Sequence, residues 1–285
     1  MPLILDIEPP PGALVRVISD LHLGHERCEL RDWSQLEALL PGVHTLVVAG
    51  DVAEGRVCAW RERGQELRDE LRERCRRRGV QLVELAGNHD PETEPMLARL
   101  WGGRVTIMHG HCLFKVVAPW SWEYLHHKAA CRALIARFPD CEHDLRSRLE
   151  LARAMSRLTP PVMRREGIRN PLLRGLLHCF WPPQRPLSII LGWLLCGRLA
   201  ERFARRFFPQ TQVLIFGHFH RGLCRRYGQR LICNTGAWFR HASPYYVDLR
   251  DGAFVRYRRV VLTQKKRSPK TGCLKITVTE NLARN

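Results

Sequence analysis

Short apolar runs recur along the chain, each followed at once by a polar cluster. Residues 13–19 (ALVRVIS) precede Asp20, residues 44–49 (HTLVVA) precede Gly50, and residues 81–86 (QLVELA) precede Gly87. Residues 105–108 (VTIM) precede His109, and residues 212–216 (QVLIF) precede Gly217. Runs this short, rich in β-branched residues and closed by turn formers, predict buried strands that end in loops. Between the first three runs lie charged stretches such as residues 56–78, whose Leu, Arg and Glu content suits amphipathic helices. The alternation predicts an α/β layered core, with reactive groups gathered where strand ends open into loops.

From about residue 121 to 210 the strand pattern stops, and Arg, Leu, Trp and Pro dominate. This stretch is expected to be a helical lid inserted into the core. Beyond Gly217 the β-character returns in residues 231–239, 245–249 and 253–262. The last two runs are joined across Asp251-Gly252, a dipeptide that favours a tight hairpin. The expected organisation is therefore a core in two parts, residues 1–120 and 211–262, around a lid at 121–210. A basic C-terminal tail follows at 263–285.

Composition narrows the class. With 285 residues, 45% of them hydrophobic, the chain can bury a sizeable core, so disorder of the whole is excluded. The net charge of +18 points to polyanionic surroundings: nucleic acid, an acidic lipid surface or a phosphorylated substrate. Eleven cysteines, with no Cys-x-x-Cys pair, fit neither a disulfide framework nor a structural zinc cluster, and are read as reduced, buried apolar residues. The first twelve residues carry Asp6 and Glu8 and no continuous apolar run, which is unlike a signal peptide and predicts a cytoplasmic protein.

Candidate chemistry sits at the strand ends. In SDLHLGH, Asp20 and His22 alternate with Leu21, and in an extended strand end two such residues point the same way and can grip one ion. Asp51 follows a glycine at the end of an apolar run. A carboxylate there needs a hydrogen bond or a cation, and its two oxygens can bridge two cations, although an N-cap for the next helix is the competing explanation. In AGNHD, Asn88 offers a neutral oxygen ligand, while His89 can approach the substrate rather than the metal. Asp90 is the expected partner that orients or charges the His89 ring. His109 and His111 follow the fourth run, and His218 and His220 flank Phe219 after the fifth. Each segment alone has an ordinary structural explanation; together they are hard to explain except as a metal centre.

The order Asp-x-His, Gly-Asp, Gly-Asn-His-Asp, His-Gly, Gly-His-x-His resembles the calcineurin-like metallophosphoesterase family over residues 14–120 and 211–262. The resemblance implies a four-layer α/β sandwich and two divalent metal ions, manganese being expected and iron, zinc or cobalt the alternatives. It implies one ion held by Asp20, His22, Asp51 and His220, and a second by Asp51, Asn88, His109 and His218. His89 would then be the general acid for the leaving oxygen. Physical chemistry supports these roles, because two cations about 3.5–4 Å apart can hold a hydroxide between them and clamp the phosphoryl oxygens during in-line attack. Arg221, beside the last ligand, is a candidate contact for a substrate phosphate, with a solvated surface arginine as the equal alternative.

Substrate choice is expected to lie in the insertion. Residues 171–208 combine an apolar stretch at 189–199 with Arg198, Arg202, Arg205 and Arg206. Too short to span a bilayer, the stretch could lie in a membrane interface with its arginines on acidic headgroups, or pack as an ordinary helix against the core. Within the family, the lid position, the IMHG segment and the NTGAWF stretch look like the UDP-2,3-diacylglucosamine diphosphatases of lipid A synthesis, which cleave a pyrophosphate at the membrane surface. That subgroup carries arginine where this chain has His89. Three expectations therefore stand: a peripheral membrane hydrolase of such a precursor; a soluble phosphatase, nucleotidase or nuclease; and a non-catalytic protein-binding scaffold.

Overall fold

A computed structural model describes residues 2–30, 32–121, 124, 127–158 and 184–261. Five strands, β2 (Leu14–Ile18), β3 (Thr45–Val48), β4 (Gln81–Glu84), β6 (Val105–Met108) and β7 (Val213–Phe216), coincide with the five apolar runs. The charged stretch between the second and third runs forms α2 (Cys58–Arg77), preceded by the short α1 (Trp33–Glu37). The later runs form β9 (Arg230–Thr235), β10 (Tyr245–Arg250) and β11 (Ala253–Arg259). Arg250 pairs with Ala253 across Asp251 and Gly252, both with positive φ (51° and 77°), as the tight hairpin requires.

The strands form two mixed sheets. The six-stranded sheet has the order β1-β5-β6-β7-β9-β8, and the five-stranded sheet the order β11-β10-β2-β3-β4. Three members are not legible as periodic runs: β1 (Ile4–Ile7), β5 (Leu97–Leu100) and β8 (Gly222–Tyr227). The first two are four-residue strands, each interrupted by one charged residue, and those residues, Asp6 and Arg99, bond across their parallel pairing at 2.7 Å. β8 carries Arg225 and Arg226 at the sheet edge, where both are exposed. Pairing with a neighbour, rather than local pattern, makes these segments strands.

Alternation along each strand divides the core into layers. Val15, Val17, Val47, Val83, Val247 and Leu249 of the smaller sheet meet Ala98, Leu100, Ile107, Val213, Ile215 and Cys233 of the larger one. On the outer face of the smaller sheet, Ile18, Leu46 and Val48 pack under Leu36 of α1 and Leu71 and Cys75 of α2. The insertion supplies α3 (Lys128–Ala136), α4 (Leu145–Leu158) and α5 (Gln184–Phe207). Leu149 and Ala152 of α4, with Cys196, Ala200, Phe203 and Ala204 of α5, cover Leu97, Met108, Leu214, Phe216 and Ile232 of the larger sheet. The result is the four-layer helix, sheet, sheet, helix sandwich expected. Residues 159–183 of the expected lid and the tail at 263–285 lie outside the described residues.

One polar pair is built into this interior. Arg16 on β2 lies opposite Asp248 on β10 and makes a two-point contact, Nε to Oδ1 at 2.6 Å and Nη2 to Oδ2 at 2.7 Å. Its guanidinium also lies 4.2 Å from the centre of the Tyr246 ring. Both partners are buried, so the pair holds the register of β2 in the sheet that presents the first ligand loop.

Candidate metal centre

β2, β3 and β4 run parallel, as do β6 and β7. The loops after these five strands carry all seven predicted ligands and His89. Asp20 Oδ1 stands 3.2 Å from His220 Nε2, and His22 Nε2 is also 3.2 Å from His220 Nε2. Asp51 Oδ2 lies 3.7 Å from His22 Nε2 and 3.3 Å from His109 Nε2, which places this carboxylate between two groups of ligands. Asn88 Oδ1 is 3.1 Å from His109 Nε2. Donor atoms fall within 4.8 Å of one another in three sets: Asp20, His22 and His220; Asp20, Asp51 and His109; and His22, Asp51 and His89. His218 is brought alongside, its ring 5.1 Å from that of His109, but its Nε2 faces the Val117 carbonyl oxygen at 3.0 Å.

The convergence arises differently from the expected strand alternation. Asp20, His22, Asp51, His218 and His220 all have positive φ, between 47° and 69°. These residues lie just past the strand ends in left-handed conformations that cost non-glycine residues energy, which is where functional sites store strain. The loops close on one another without room for side chains at two glycines. A Cβ on Gly217 would stand 2.0 Å from Asp20 Oδ2, and one on Gly87 would stand 2.0 Å from Asp51 Oδ1. Backbone donors complete the positioning: His218 N–H bonds both Asp20 oxygens at 3.1 Å, and His89 N–H bonds Asp51 Oδ1 at 2.8 Å. Behind Asp20, the Ser19 hydroxyl bonds the same carboxylate and meets Thr235 Oγ1 at 2.6 Å, while Asn234 Nδ2 donates to the Gly217 carbonyl at 2.6 Å.

Asp90 departs from its expected role. It does not touch the His89 ring; its oxygens accept the backbone N–H groups of Asp51 at 3.2 Å, Val52 at 2.9 Å and Gly87 at 2.7 Å. It therefore ties together two ligand loops. The carboxylate on the ring is Glu54, whose Oε2 lies 2.8 Å from His89 Nδ1. Glu54 is buried and also accepts the N–H groups of Arg56 and Val57 at the entry to α2. Its sequence signal was an acid three residues after Asp51 in AGDVAEG. Arg221 is exposed beside His220. His111 is buried behind the centre, its ring 5.3 Å from that of His109, and neither of its nitrogens has a hydrogen-bond partner among the described residues.

The electrostatics match a cation site. Burial alone would raise the carboxyls of Asp20 and Asp51, yet the His109 ring holds both below the usual carboxylate range. Burial lowers His109 less than Asp51 and Asp20 raise it, and its pKa reaches about 9. Burial and then His109 push His218 down to about 3, leaving a neutral ring free to donate a lone pair. Among the described residues no lysine or arginine pairs with Asp20 or Asp51. Two buried carboxylates, facing imidazoles and one amide oxygen, form a donor set that suits divalent ions with mixed oxygen and nitrogen preference.

Imidazoles, carboxylates and one amide at the ends of parallel strands in a sheet sandwich define a metallophosphoesterase-type protein. Residues 14–222 match the calcineurin-like phosphoesterase family, and the chain belongs to it. The centre of that family takes two divalent ions, and the donor set here fits them. No curated protein matches the chain. Among solved structures it is similar to a dimetal phosphatase from Danio rerio, at 12% identity over 89% of this chain and 100% of that one, with a TM-score of 0.43. It is also similar to a Vps29 single mutant from Entamoeba histolytica (16% identity, 87% and 98% covered, TM-score 0.41). A third similar structure is the phosphopantetheinyl hydrolase of Mycobacterium tuberculosis (19%, 81% and 96%, 0.37).

Proposed function

We propose that this protein is a two-metal phosphoester hydrolase working at an anionic membrane surface, where it cleaves the pyrophosphate of a nucleotide-linked lipid precursor of the UDP-diacylglucosamine type. The first ion is assigned to Asp20, His22, Asp51 and His220, and the second to Asp51, Asn88, His109 and His218. Bound there, divalent ions supply positive charge for the phosphoryl oxygens and make an attacking water more acidic. His89 holds a proton for the leaving oxygen, and Glu54 fixes its Nδ1 side so that the opposite nitrogen faces the reaction.

The observation that supports the membrane reading is the outer stripe of α5. Leu187, Ile190, Leu191, Leu194 and Leu195 recur at helical spacing and are all exposed, Leu187 at 59% and Leu194 at 62%. The same stripe continues into Arg198, Arg202 and Arg205. An apolar stripe followed by arginines is the pattern of a helix lying in a membrane interface. No helix among the described residues is long and apolar enough to cross a membrane. The stripe is tied to the centre, because Trp193 Nε1 donates to the carbonyl of Phe219, between His218 and His220, at 3.0 Å. In this reading the insertion, residues 121–210, is the lid.

Two measurements test the proposal. The first is flotation with phosphatidylglycerol and phosphatidylcholine vesicles. Binding should favour the anionic vesicles and be lost in a Leu187→Asp, Leu194→Asp variant; equal flotation of that variant refutes the membrane reading. The second is a hydrolysis panel with manganese: aryl mono- and diesters, nucleotides, single-stranded DNA and UDP-diacylglucosamine. Preference for nucleotides or DNA would replace the lipid reading with a soluble phosphatase or nuclease. Full metal occupancy with no hydrolysis would replace it with a scaffold.

A further inference from the structure

A cleft of about 580 Å³ opens on the His89 side of the centre, with His89 in its wall and no residue of α5 in its lining. Four arginines line it: Arg56, Arg61, Arg68 and Arg157. The acids in the lining are already engaged. Glu54 is held by His89 and backbone N–H groups, Asp90 by three backbone N–H groups, and Glu92 by Arg157. Arg68 is taken by Glu84 at 2.7 Å and Thr93 at 2.8 Å. Arg61 differs. Its Nε donates to the Gly55 carbonyl at 3.0 Å, which anchors the guanidinium at the cleft, and it makes no ion pair among the described residues.

We infer that this cleft is an anion subsite for a second phosphate, the one carried by the leaving group of a pyrophosphate substrate, with Arg61 as its principal contact. The inference rests on the hydrolase reading above, because it is the position of His89 as proton donor that makes this the leaving-group side. During hydrolysis the water oxygen bonds the first phosphorus and releases a proton to solvent, and the bridging P–O bond breaks. The departing phosphate takes both bond electrons and a proton from His89, and His89 regains a proton from solvent. An arginine on the departing phosphate can make a two-point charge-assisted contact.

The test is titration calorimetry on the manganese-loaded protein with α,β-methylene-ADP, a non-hydrolysable two-phosphorus ligand, and with phenylphosphonate, which has one phosphorus. Wild type should bind the methylene-ADP more tightly. Arg61→Ala should reduce the ratio of the two affinities about tenfold, a change of ~1.4 kcal/mol, and Arg61→Lys should recover part of it. Equal affinities in wild type, equal losses for both ligands in Arg61→Ala, or no binding of either ligand would overturn the subsite. A loss confined to a phosphorothioate oligothymidylate would overturn the pyrophosphate assignment. Binding is read without turnover, so failure of the hydrolysis panel and failure of the subsite are separate results.

Discussion

Replacing Glu54 by Gln tests the part that the His89 ring plays, and the bound-metal measurement separates it from the contact that Glu54 Oε2 also makes with His22 Nδ1 at 3.9 Å. The exchange keeps an oxygen to cap the N–H groups of Arg56 and Val57 but removes the charge 2.8 Å from His89 Nδ1. A hydrogen bond to a charged group is worth about 1.5–3 kcal/mol, so kcat should fall about 10- to 150-fold when protonation of the leaving oxygen limits the rate. The loss should depend on the substrate. Phenyl phosphate leaves as a phenoxide whose conjugate acid has a pKa of about 10 and needs the proton, whereas the far more acidic nitrophenol of p-nitrophenyl phosphate does not. The pH profile should move too. Burial lowers the His89 pKa, but Glu54 and Asp51 raise it further, to above its ordinary value. Activity that needs the protonated ring is lost as pH rises through that value, so Glu54→Gln should move the alkaline limb to lower pH. The assay is steady-state hydrolysis of both esters across pH, with bound manganese measured by elemental mass spectrometry. An equal fall for both esters, an unmoved alkaline limb, or loss of metal would refute the assignment, the last making the Glu54 and His89 pair part of the ligand shell.

Three further outcomes follow from the geometry. Asp51→Asn should lower the bound metal from two ions per chain and abolish aryl phosphate hydrolysis, because a neutral amide replaces a carboxylate that lies between His22 and His109; unchanged metal content would mean that Asp51 is not shared. Gly217→Ala should cost about 1–3 kcal/mol in urea unfolding and weaken manganese binding, since its Cβ would stand 2.0 Å from Asp20 Oδ2; a variant of wild-type stability and metal affinity would show that the loop yields freely. Asp248→Asn should cost about 3–5 kcal/mol by leaving Arg16 buried without its counter-charge, and a loss below 1 kcal/mol in denaturant titration would contradict the buried pair.

Much of the candidate centre was readable because its chemistry is written in short local segments. Asp-x-His, Gly-Asp, Asn-His-Asp and His-x-His each follow an apolar run, and the runs proved to be strands whose ends face one another. The helical character of α4 and α5 was equally legible, but not their place: their pattern does not say that Leu149, Ala152, Ala200 and Phe203 cover the larger sheet. Glu54 was missed because an acid before a helix has many ordinary explanations. Only the approach of the Asn88–Asp90 loop puts the His89 ring on it.

The sequence by itself determined the class of protein, since strand pattern and ligand types are properties of residues close together in the chain. The tertiary structure alone decided which carboxylate serves which histidine, because Glu54 and Asp90 are separated from their partners by loop geometry rather than by spacing. It also replaced the expected strand alternation with left-handed turns at Asp20, His22, Asp51, His218 and His220. A backbone held at positive φ is stabilised by packing from distant segments, such as Gly217 against Asp20, and no local pattern encodes that contact.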